Sequence, residues 1–85
     1  MFQLNGTILS VSLPEGKTQV ELVSDCKSEI RDLISSGDVY GLDIKLNGRL
    51  TTGMALCLGH ELAHVCKSVS IFDPKENDYV LCVKH

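Results

Sequence analysis

A strand, a helix and a second strand follow one another in the second half of the chain, and this alternation constrains the fold more than any other feature. Residues 39–46 are predicted to form a strand, because residues 42–46 alternate apolar and charged side chains as expected of a strand with one buried face. An apolar stripe at helical spacing predicts a helix from residue 54 to about residue 66, and residues 69–72 form a short apolar run before Asp73-Pro74. Helices that alternate with strands in this way cover a sheet, so the pattern predicts an α/β fold.

The beginning of the chain predicts an antiparallel hairpin. Residues 2–13 suit a strand with one irregularity at Asn5-Gly6, and residues 14–17 have the composition of a turn. The apolar positions of residues 18–23 then predict the second strand of the hairpin.

A first helix and a last strand complete the predicted order. Ser24 or Asp25 is expected to cap the helix, which ends near Ser36-Gly37, and residues 79–83 form the final strand. The order is therefore ββαβαββ, a mixed sheet with two helices. Because a chain of 85 residues builds one hydrophobic core, we expect a single domain over residues 1–85.

Composition and charge restrict the partners of the chain. It is 44% hydrophobic, with two Phe, two Tyr and no Trp, which is typical of a soluble domain with a core of Leu, Val and Ile. No apolar run approaches the ~20 residues of a membrane span, and the first residues lack the basic side chain that would begin a secretion signal. We therefore expect a cytoplasmic protein without membrane contact. The net charge of −3 offers no basic field for DNA or long RNA, so a nucleic-acid ligand should be short.

The chain has four cysteines, Cys26, Cys57, Cys66 and Cys82. Their spacing is irregular, and no C-x-x-C pair indicates a zinc or redox site. Without a secretion signal, buried or half-buried free thiols are expected rather than disulfides.

The second helix contains the string HELAH, which has the HExxH form of a zinc protease. In such an enzyme His60 and His64 bind zinc, Glu61 is the general base and a third ligand must follow. The next residues lack the G-x-x-H continuation of the metzincins. A chain of this size also has no room for a cleft between two lobes, so the protease is the weakest of the functional interpretations.

The two histidines lie on the side of this helix that faces away from the sheet. At 100° per residue the sheet-facing side is formed by Met54, Ala55, Leu58, Leu62 and Val65. The opposite side carries His60 and His64 among small and apolar neighbours, Leu56, Cys57 and Ala63. Because Lys and Glu are the usual residues of a solvated helix face, this composition predicts a contact with a second subunit that the histidines line.

The strand after the helix ends in Asp73, and the carboxyl ends of strands are where α/β folds gather their ligands. If the strand lies beside the helix, His60, His64 and Asp73 converge. Two imidazoles and a carboxylate bind Mn, Fe, Zn or Ni, with geometry and availability deciding among them. A metal site on these three residues is therefore expected, and the alternative is a pair of surface histidines without a ligand.

The second half of the chain resembles a known family. Asn47-Gly48-Arg49 is followed, eleven residues after Arg49, by His60 and the His-x-x-x-His pair, then by Asp73-Pro74 with a basic residue and by a final strand that ends in His85. This ordered set is similar to that of the small CRISPR-associated ring nucleases of the manganese-dependent class, which degrade cyclic tetra-adenylate in type III CRISPR defence. The resemblance covers roughly residues 42–85 and includes the ββαβαββ order.

The resemblance implies a Rossmann-like variant of the sensor fold that binds cyclic oligoadenylates. Members of the family form dimers and hold the ring between two dimers, so a homodimer and a tetramer bridged by ligand are implied. The implied cofactor is Mn²⁺ or another divalent transition metal, with His60, His64 and Asp73 as its ligands. These three residues and His85 are the implied catalytic set.

The implied ligand-binding residues are Gly48, Arg49, Thr51, Thr52 and Lys75. Arg49 and Lys75 are candidates for phosphate contacts, and the backbone amides of residues 51–53, at the start of the second helix, could add an anion site. The chain departs from the family at Lys75, where Arg is usual, and in residues 50–52, which lack the usual Pro and aromatic side chain. A stacking platform for adenine is therefore missing from the sequence pattern.

The expected activity is cleavage of a phosphodiester bond in cyclic tetra-adenylate, with short RNA 3′ ends as a further substrate. Either the 2′-hydroxyl of the ring or a metal-bound water is the nucleophile, and a histidine such as His85 is the general acid or base. Two alternatives stay open beside the protease. The chain is a sensor or sink that binds the nucleotide or a short RNA without cutting it, or a metal-free interaction domain whose histidines are packing residues.

Overall fold

The computed structural model describes residues 1–84, in which two helices cover one face of a five-stranded sheet. The elements in chain order are β1 (Phe2–Asn5), β2 (Ile8–Val11), α1 (Gln19–Ser35), β3 (Asp43–Gly48), α2 (Thr52–Ala63), β4 (Ser68–Asp73) and β5 (Asp78–Lys84). The predicted α/β class and the order ββαβαββ are confirmed. Neither described helix is long and apolar enough to cross a membrane.

The sheet is mixed and its strands follow chain order from β1 to β5. The three central strands β2, β3 and β4 are parallel, while β1 and β5 are antiparallel to their neighbours. Helices α1 and α2 pack against each other on the same face of the sheet, which is the arrangement that right-handed crossovers between successive parallel strands produce. Within residues 1–84, the opposite face of the sheet is covered by no helix.

The start of the chain differs from the prediction in the position of its hairpin. Asn5 pairs with Ile8, so the turn is Gly6-Thr7 rather than residues 14–17. Gly6 has a φ of 61°, a left-handed conformation that glycine adopts without strain. The irregularity expected at Asn5-Gly6 is therefore the turn itself, and β1 and β2 both come from the segment that was predicted to be one strand.

Residues 18–23 form the N-terminal end of α1, and the prediction of a strand there was wrong. The Thr18 hydroxyl accepts a hydrogen bond from the Glu21 amide at 3.2 Å, and the Glu21 carboxylate accepts one from the Thr18 amide at 3.0 Å. This capping box begins the helix several residues before the predicted caps at Ser24 and Asp25. The buried positions Leu22, Cys26 and Ile30 follow at helical spacing.

The core lies between the helices and the central strands. Its buried apolar side chains are Leu9, Val11, Leu22, Cys26, Ile30, Val39, Ile44, Leu46, Met54, Leu58, Leu62, Cys66 and Val69. Met54, Leu58 and Leu62 confirm the predicted sheet-facing side of α2. The helix ends at Ala63 with His64 as its C-cap, because the chain turns toward β4 there, and so it stops before the predicted end near Cys66.

Gly48, the last residue of β3, has a φ of 104° and lies against the backbone of Val11 in β2. A Cβ atom at this position would overlap the Val11 carbonyl oxygen. Only glycine therefore satisfies both the backbone conformation and the spacing of the two strands at this point.

Candidate functional site

The carboxyl ends of the three parallel strands meet at one edge of the sheet, and α2 begins at the same edge. A cleft of about 270 Å³ opens there, lined by Leu46, Gly48, Leu50, Thr51, Thr52, Ala55, Ile71 and Phe72. Arg49 directly follows β3 at this point. Its amide donates a hydrogen bond to the Val11 carbonyl at 3.1 Å, and its side chain is exposed. This strand-end cleft has the position at which open α/β sheets bind their ligands.

Thr51 is the N-cap of α2. Its hydroxyl accepts a hydrogen bond from the Met54 amide at 3.2 Å, so this side chain is engaged in starting the helix. Thr52, the first residue of α2, is exposed and lines the cleft. The structure thus brings Gly48, Thr51 and Thr52 together, as the sequence predicted, and places Arg49 next to them.

Asp73 ends β4 at the same edge of the sheet. Its Oδ1 accepts a hydrogen bond from the Lys75 amide at 2.9 Å, which stabilises the tight connection between β4 and β5. Lys75 is exposed on this connection. The carboxylate and the two basic side chains of Arg49 and Lys75 are therefore all grouped at the strand-end edge.

His60 and His64 lie one helical turn apart on the outer side of α2, and both are exposed. Their ring centroids are 4.9 Å apart, with the rings at 89° to each other. Glu61, between them in sequence, points to α1 instead, where it pairs with Arg31. The predicted histidine pair is thus present, while the carboxylate of the HExxH string lies elsewhere.

The structure does not bring the predicted metal ligands together in one chain. α2 runs antiparallel to β4, so Asp73 lies beside the N-terminal end of the helix and His64 at its C-terminal end. At a rise of 1.5 Å per residue, the twelve steps from Thr52 to His64 span ~18 Å. Residues 1–84 contain no group of three His, Cys, Asp or Glu side chains that could hold a metal ion. His85 lies outside the described residues.

The donor types nevertheless suit a transition metal. Two neighbouring imidazoles supply two nitrogen ligands from one chain, and a carboxylate is the third donor of the predicted set. Because Asp73 of the same chain lies at the other end of α2, the residues fit such an ion only if the carboxylate comes from a second copy.

An apolar groove of about 690 Å³ runs between α2 and strands β4 and β5. It is lined by Leu46, Thr52, Ala55, Leu56, Gly59, His60, Val69, Ser70, Ile71, Cys82 and Val83. Leu56 is 77% exposed on α2 at this groove, and Cys82, where β5 is irregularly paired, is exposed on its other side. An exposed apolar groove beside the histidine pair is consistent with the predicted subunit contact.

All four cysteines are free thiols; Cys26 and Cys66 are buried and Cys57 is half-buried, as predicted, whereas Cys82 is exposed and departs from the prediction. Burial, and the neighbouring Cys57 to a smaller extent, raise the pKa of Cys26 to about 12. Burial also raises the pKa of Cys66, whose Sγ donates to the Val39 carbonyl at 3.4 Å. Cys26 and Cys66 are therefore unreactive packing residues.

The sequence interpretation missed a cluster on the helix-free face of the sheet. Phe72 of β4 and Tyr79 of β5 are directly paired across the strands, and the Lys45 ammonium of β3 lies over the Tyr79 ring. The hairpin of β4 and β5 is centred between residues 75 and 76. A prediction of this centre from the sequence would have placed Phe72 opposite Tyr79.

Comparison of the chain with protein-family models, with curated proteins and with solved structures found no match.

Proposed function

We propose that the chain is a metal-dependent phosphodiesterase that opens cyclic tetra-adenylate in the cytoplasm and so ends type III CRISPR signalling. Its active site is built between two copies of the chain. The ordered set of Gly48-Arg49, the histidine pair, Asp73 and Lys75 supports the substrate class, through its similarity to the manganese-dependent ring nucleases.

The separation of the histidine pair from Asp73 carries the proposal of a shared site. Each chain exposes two imidazoles at one end of α2 and a carboxylate with two basic groups at the opposite end. A two-fold axis perpendicular to α2 reverses the direction of this helix in the partner, and such an axis brings the histidine end of one copy to the strand-end cleft of the other. His60 and His64 of one copy and Asp73 of the other then form the donor set.

The apolar groove next to His60 supports the second copy as its occupant. Leu56 is exposed at this groove, whose lining is almost entirely apolar, although the chain carries a net charge of −3. Burial of this groove in a homodimer places the histidine pair at the seam, where the shared site requires it. Two such dimers around one ring give the tetramer that the family resemblance implies.

Each group at the site has a chemical task. Arg49 and Lys75 bind phosphate oxygens. The amides at the start of α2, which form the positive end of the helix dipole, attract the same anionic groups. A divalent ion such as Mn²⁺ neutralises the charge that develops on the phosphoryl oxygens when it is bound. His60 and His64 hold or move a proton when they are not ligands, and His85 is a further candidate for this task.

A non-catalytic sensor or sink is the second candidate. The observation that favours it is that one chain alone groups Gly48, Thr51 and Thr52 at the strand-end cleft, with Arg49 directly after Gly48. A zinc protease is disfavoured, because the Glu61 carboxylate is engaged by Arg31 instead of facing the histidines.

Incubation of the purified protein with cyclic tetra-adenylate tests the proposed function. The reaction is run with Mn²⁺ and with a chelator, beside the variants His60→Ala and Tyr40→Leu, and the products are separated by chromatography. We expect shorter linear products that require the metal, are lost in His60→Ala and persist in Tyr40→Leu, which changes an exposed residue away from the site. An intact ring that co-elutes with the protein supports the sensor, and no binding at all overturns the proposal.

A further inference from the structure

The helix-free face of the sheet carries a distinct pattern of side chains. Register and contacts place on this face Ile8, Ser10, Asp43, Lys45, Asn47, Ser68, Ser70, Phe72, Tyr79, Leu81 and Lys84. Their neighbours Leu9, Ile44 and Val69 are buried under the helices. The face therefore combines small polar residues, two aliphatic side chains, one carboxylate, one aromatic pair and two lysines, and it meets the strand-end cleft at Phe72.

The aromatic pair and one lysine form a single contact cluster. The rings of Phe72 and Tyr79 are 5.4 Å apart between centroids and inclined at 71°. The Lys45 ammonium lies 5.6 Å from the centroid of the Tyr79 ring, which it reaches across β4. Both aromatic side chains are partly exposed, so ring surface is accessible from solvent.

The charges of this face suit an anionic ligand. Lys45 and Lys84 are exposed, and so is Asp43, the one carboxylate among these residues, which accepts a hydrogen bond from the Ser68 hydroxyl at 2.7 Å. The two lysines outnumber this carboxylate, so these residues together carry a net positive charge on a chain whose net charge is −3. A mixed polar and aromatic surface with lysines differs from the apolar groove by α2, and it has the composition with which sheets stack bases of single-stranded RNA.

We propose that Lys45, Phe72 and Tyr79 form a binding platform for the bases of single-stranded adenylate RNA. Tyr79 and Phe72 stack on bases, and Lys45 contacts the adjoining phosphate. Phe72 also borders the strand-end cleft. The sugar-phosphate backbone of an RNA bound on the platform therefore continues into the cleft beside Arg49. The choice of adenylate rests on the proposed function, while the platform itself rests on the contacts of this face. It supplies the stacking surface that residues 50–52 lack.

Titration of a fluorescein-labelled hexa-adenylate RNA, followed by fluorescence anisotropy in the presence of a chelator, tests the platform without any metal chemistry. Tyr79→Leu removes a stacking ring but keeps apolar volume, and we expect it to weaken binding roughly 5- to 150-fold, the loss of one stacked base. Tyr79→Phe keeps the ring and should bind within about twofold of the unchanged protein. Tyr40→Leu is the matched control, since Tyr40 is 58% exposed outside the sheet, and its affinity should not change.

Two-dimensional NMR spectra of the aromatic protons give an independent readout that does not depend on variant stability. With only two tyrosines in the chain, Tyr79 and Tyr40 are readily distinguished. We expect hexa-adenylate to shift the Tyr79 ring resonances upfield and to leave those of Tyr40 in place. The abasic ribose-phosphate oligomer of the same length should not produce the shift. Equal binding of the abasic oligomer, or unchanged affinity in Tyr79→Leu, overturns the platform.

Another occupant of this face is detected in the same experiments. If the face contacts a second copy of the chain, Tyr79→Leu changes the molar mass measured by light scattering, and this outcome also overturns the proposal. Failure of the proposed function gives a different pattern. Cyclic tetra-adenylate then stays intact with Mn²⁺ while the linear oligomer still shifts the Tyr79 resonances.

Discussion

Arg31 of α1 donates from Nε to the Oε1 of Glu61 in α2 at 3.0 Å, and its Nη2 lies 3.0 Å from the same oxygen. Glu61 is the acidic residue of the HELAH string, and its side chain is only 11% exposed. The two helices are therefore tied together by the carboxylate that a zinc protease would use as its base. The histidines of the string remain on the outer side of α2.

Replacement of Glu61 by glutamine separates a structural role of this carboxylate, the link between α1 and α2, from the role of a catalytic base. Because the carboxylate contacts Arg31 and no reacting group, we expect Glu61→Gln to retain cleavage of cyclic tetra-adenylate and to lower the free energy of unfolding by less than about 1 kcal/mol, as for a partly exposed ion pair. Nucleotide turnover and thermal unfolding measure the two effects, with Arg31→Gln as the matched variant. Loss of a peptidase activity in Glu61→Gln would instead support the protease.

The capping box of α1 makes stability depend on pH. Hydrogen bonding of the Glu21 carboxylate with the Thr18 amide, and next with the Thr18 side chain, lowers the pKa of Glu21 below its ordinary value of 4.5. The stability that this carboxylate contributes is present above that unfolded-state value, and it is lost as the pH falls through the lower folded-state pKa. We expect Glu21→Gln, which keeps a capping side chain without the charge, to flatten the decline of the melting temperature on acidification. An unchanged acid profile would exclude this contribution.

Gly48 and Gly59 should respond in opposite directions to alanine. Gly48 has a positive φ and no space for a Cβ beside Val11, so Gly48→Ala should destabilise the fold by more than about 1 kcal/mol. Gly59 lies inside α2 with open space at its Cβ position, so Gly59→Ala should stabilise the fold by about 0.5–1 kcal/mol. Urea unfolding measures both changes. A similar loss in the two variants would contradict the local strand contact at Gly48.

The four thiols should differ in reactivity. Cys82 is exposed, whereas Cys26 and Cys66 are buried and have raised pKa values. We expect a maleimide at pH 8 to modify Cys82 first and to reach Cys26 and Cys66 only when the protein unfolds. Mass spectrometry of peptides at successive times identifies the modified residue. Cys82 lines the apolar groove. If this groove is the proposed subunit contact, the maleimide should modify Cys82 more slowly at high protein concentration than at low protein concentration.

Helix α2 was predicted from the sequence more accurately than the beginning of the chain. Its stripe of Met54, Leu58 and Leu62 repeats every four residues, and no strand pattern competes with that spacing. Residues 18–23 satisfy two patterns, because their apolar side chains suit a strand while Thr18 and Glu21 suit a helix cap. The cap and the continuation of the apolar stripe to Ile30 decide the outcome.

The candidate site was predicted only in part for a topological reason. Gly48, Arg49 and Thr51 follow one strand end, so local sequence is sufficient to group them. The distance between His64 and Asp73 depends on the direction of α2 relative to β4, and a helix between two parallel strands must run back against them. That rule separates the two residues although they are close in sequence, and applying it would have predicted that His64 and Asp73 lie at opposite ends of α2 in one chain.

Complementation between two inactive variants tests the shared site most directly. His64→Ala and Asp73→Ala are each expected to lack cleavage of cyclic tetra-adenylate, and the two proteins are then unfolded together, refolded at equal concentration and assayed with Mn²⁺. In a mixed dimer one of the two sites combines the intact histidine end of one copy with the intact Asp73 of the other, so about a quarter of the wild-type activity should return. If the wild-type protein survives the same treatment with full activity while the mixture stays inactive, the active site is not shared between copies.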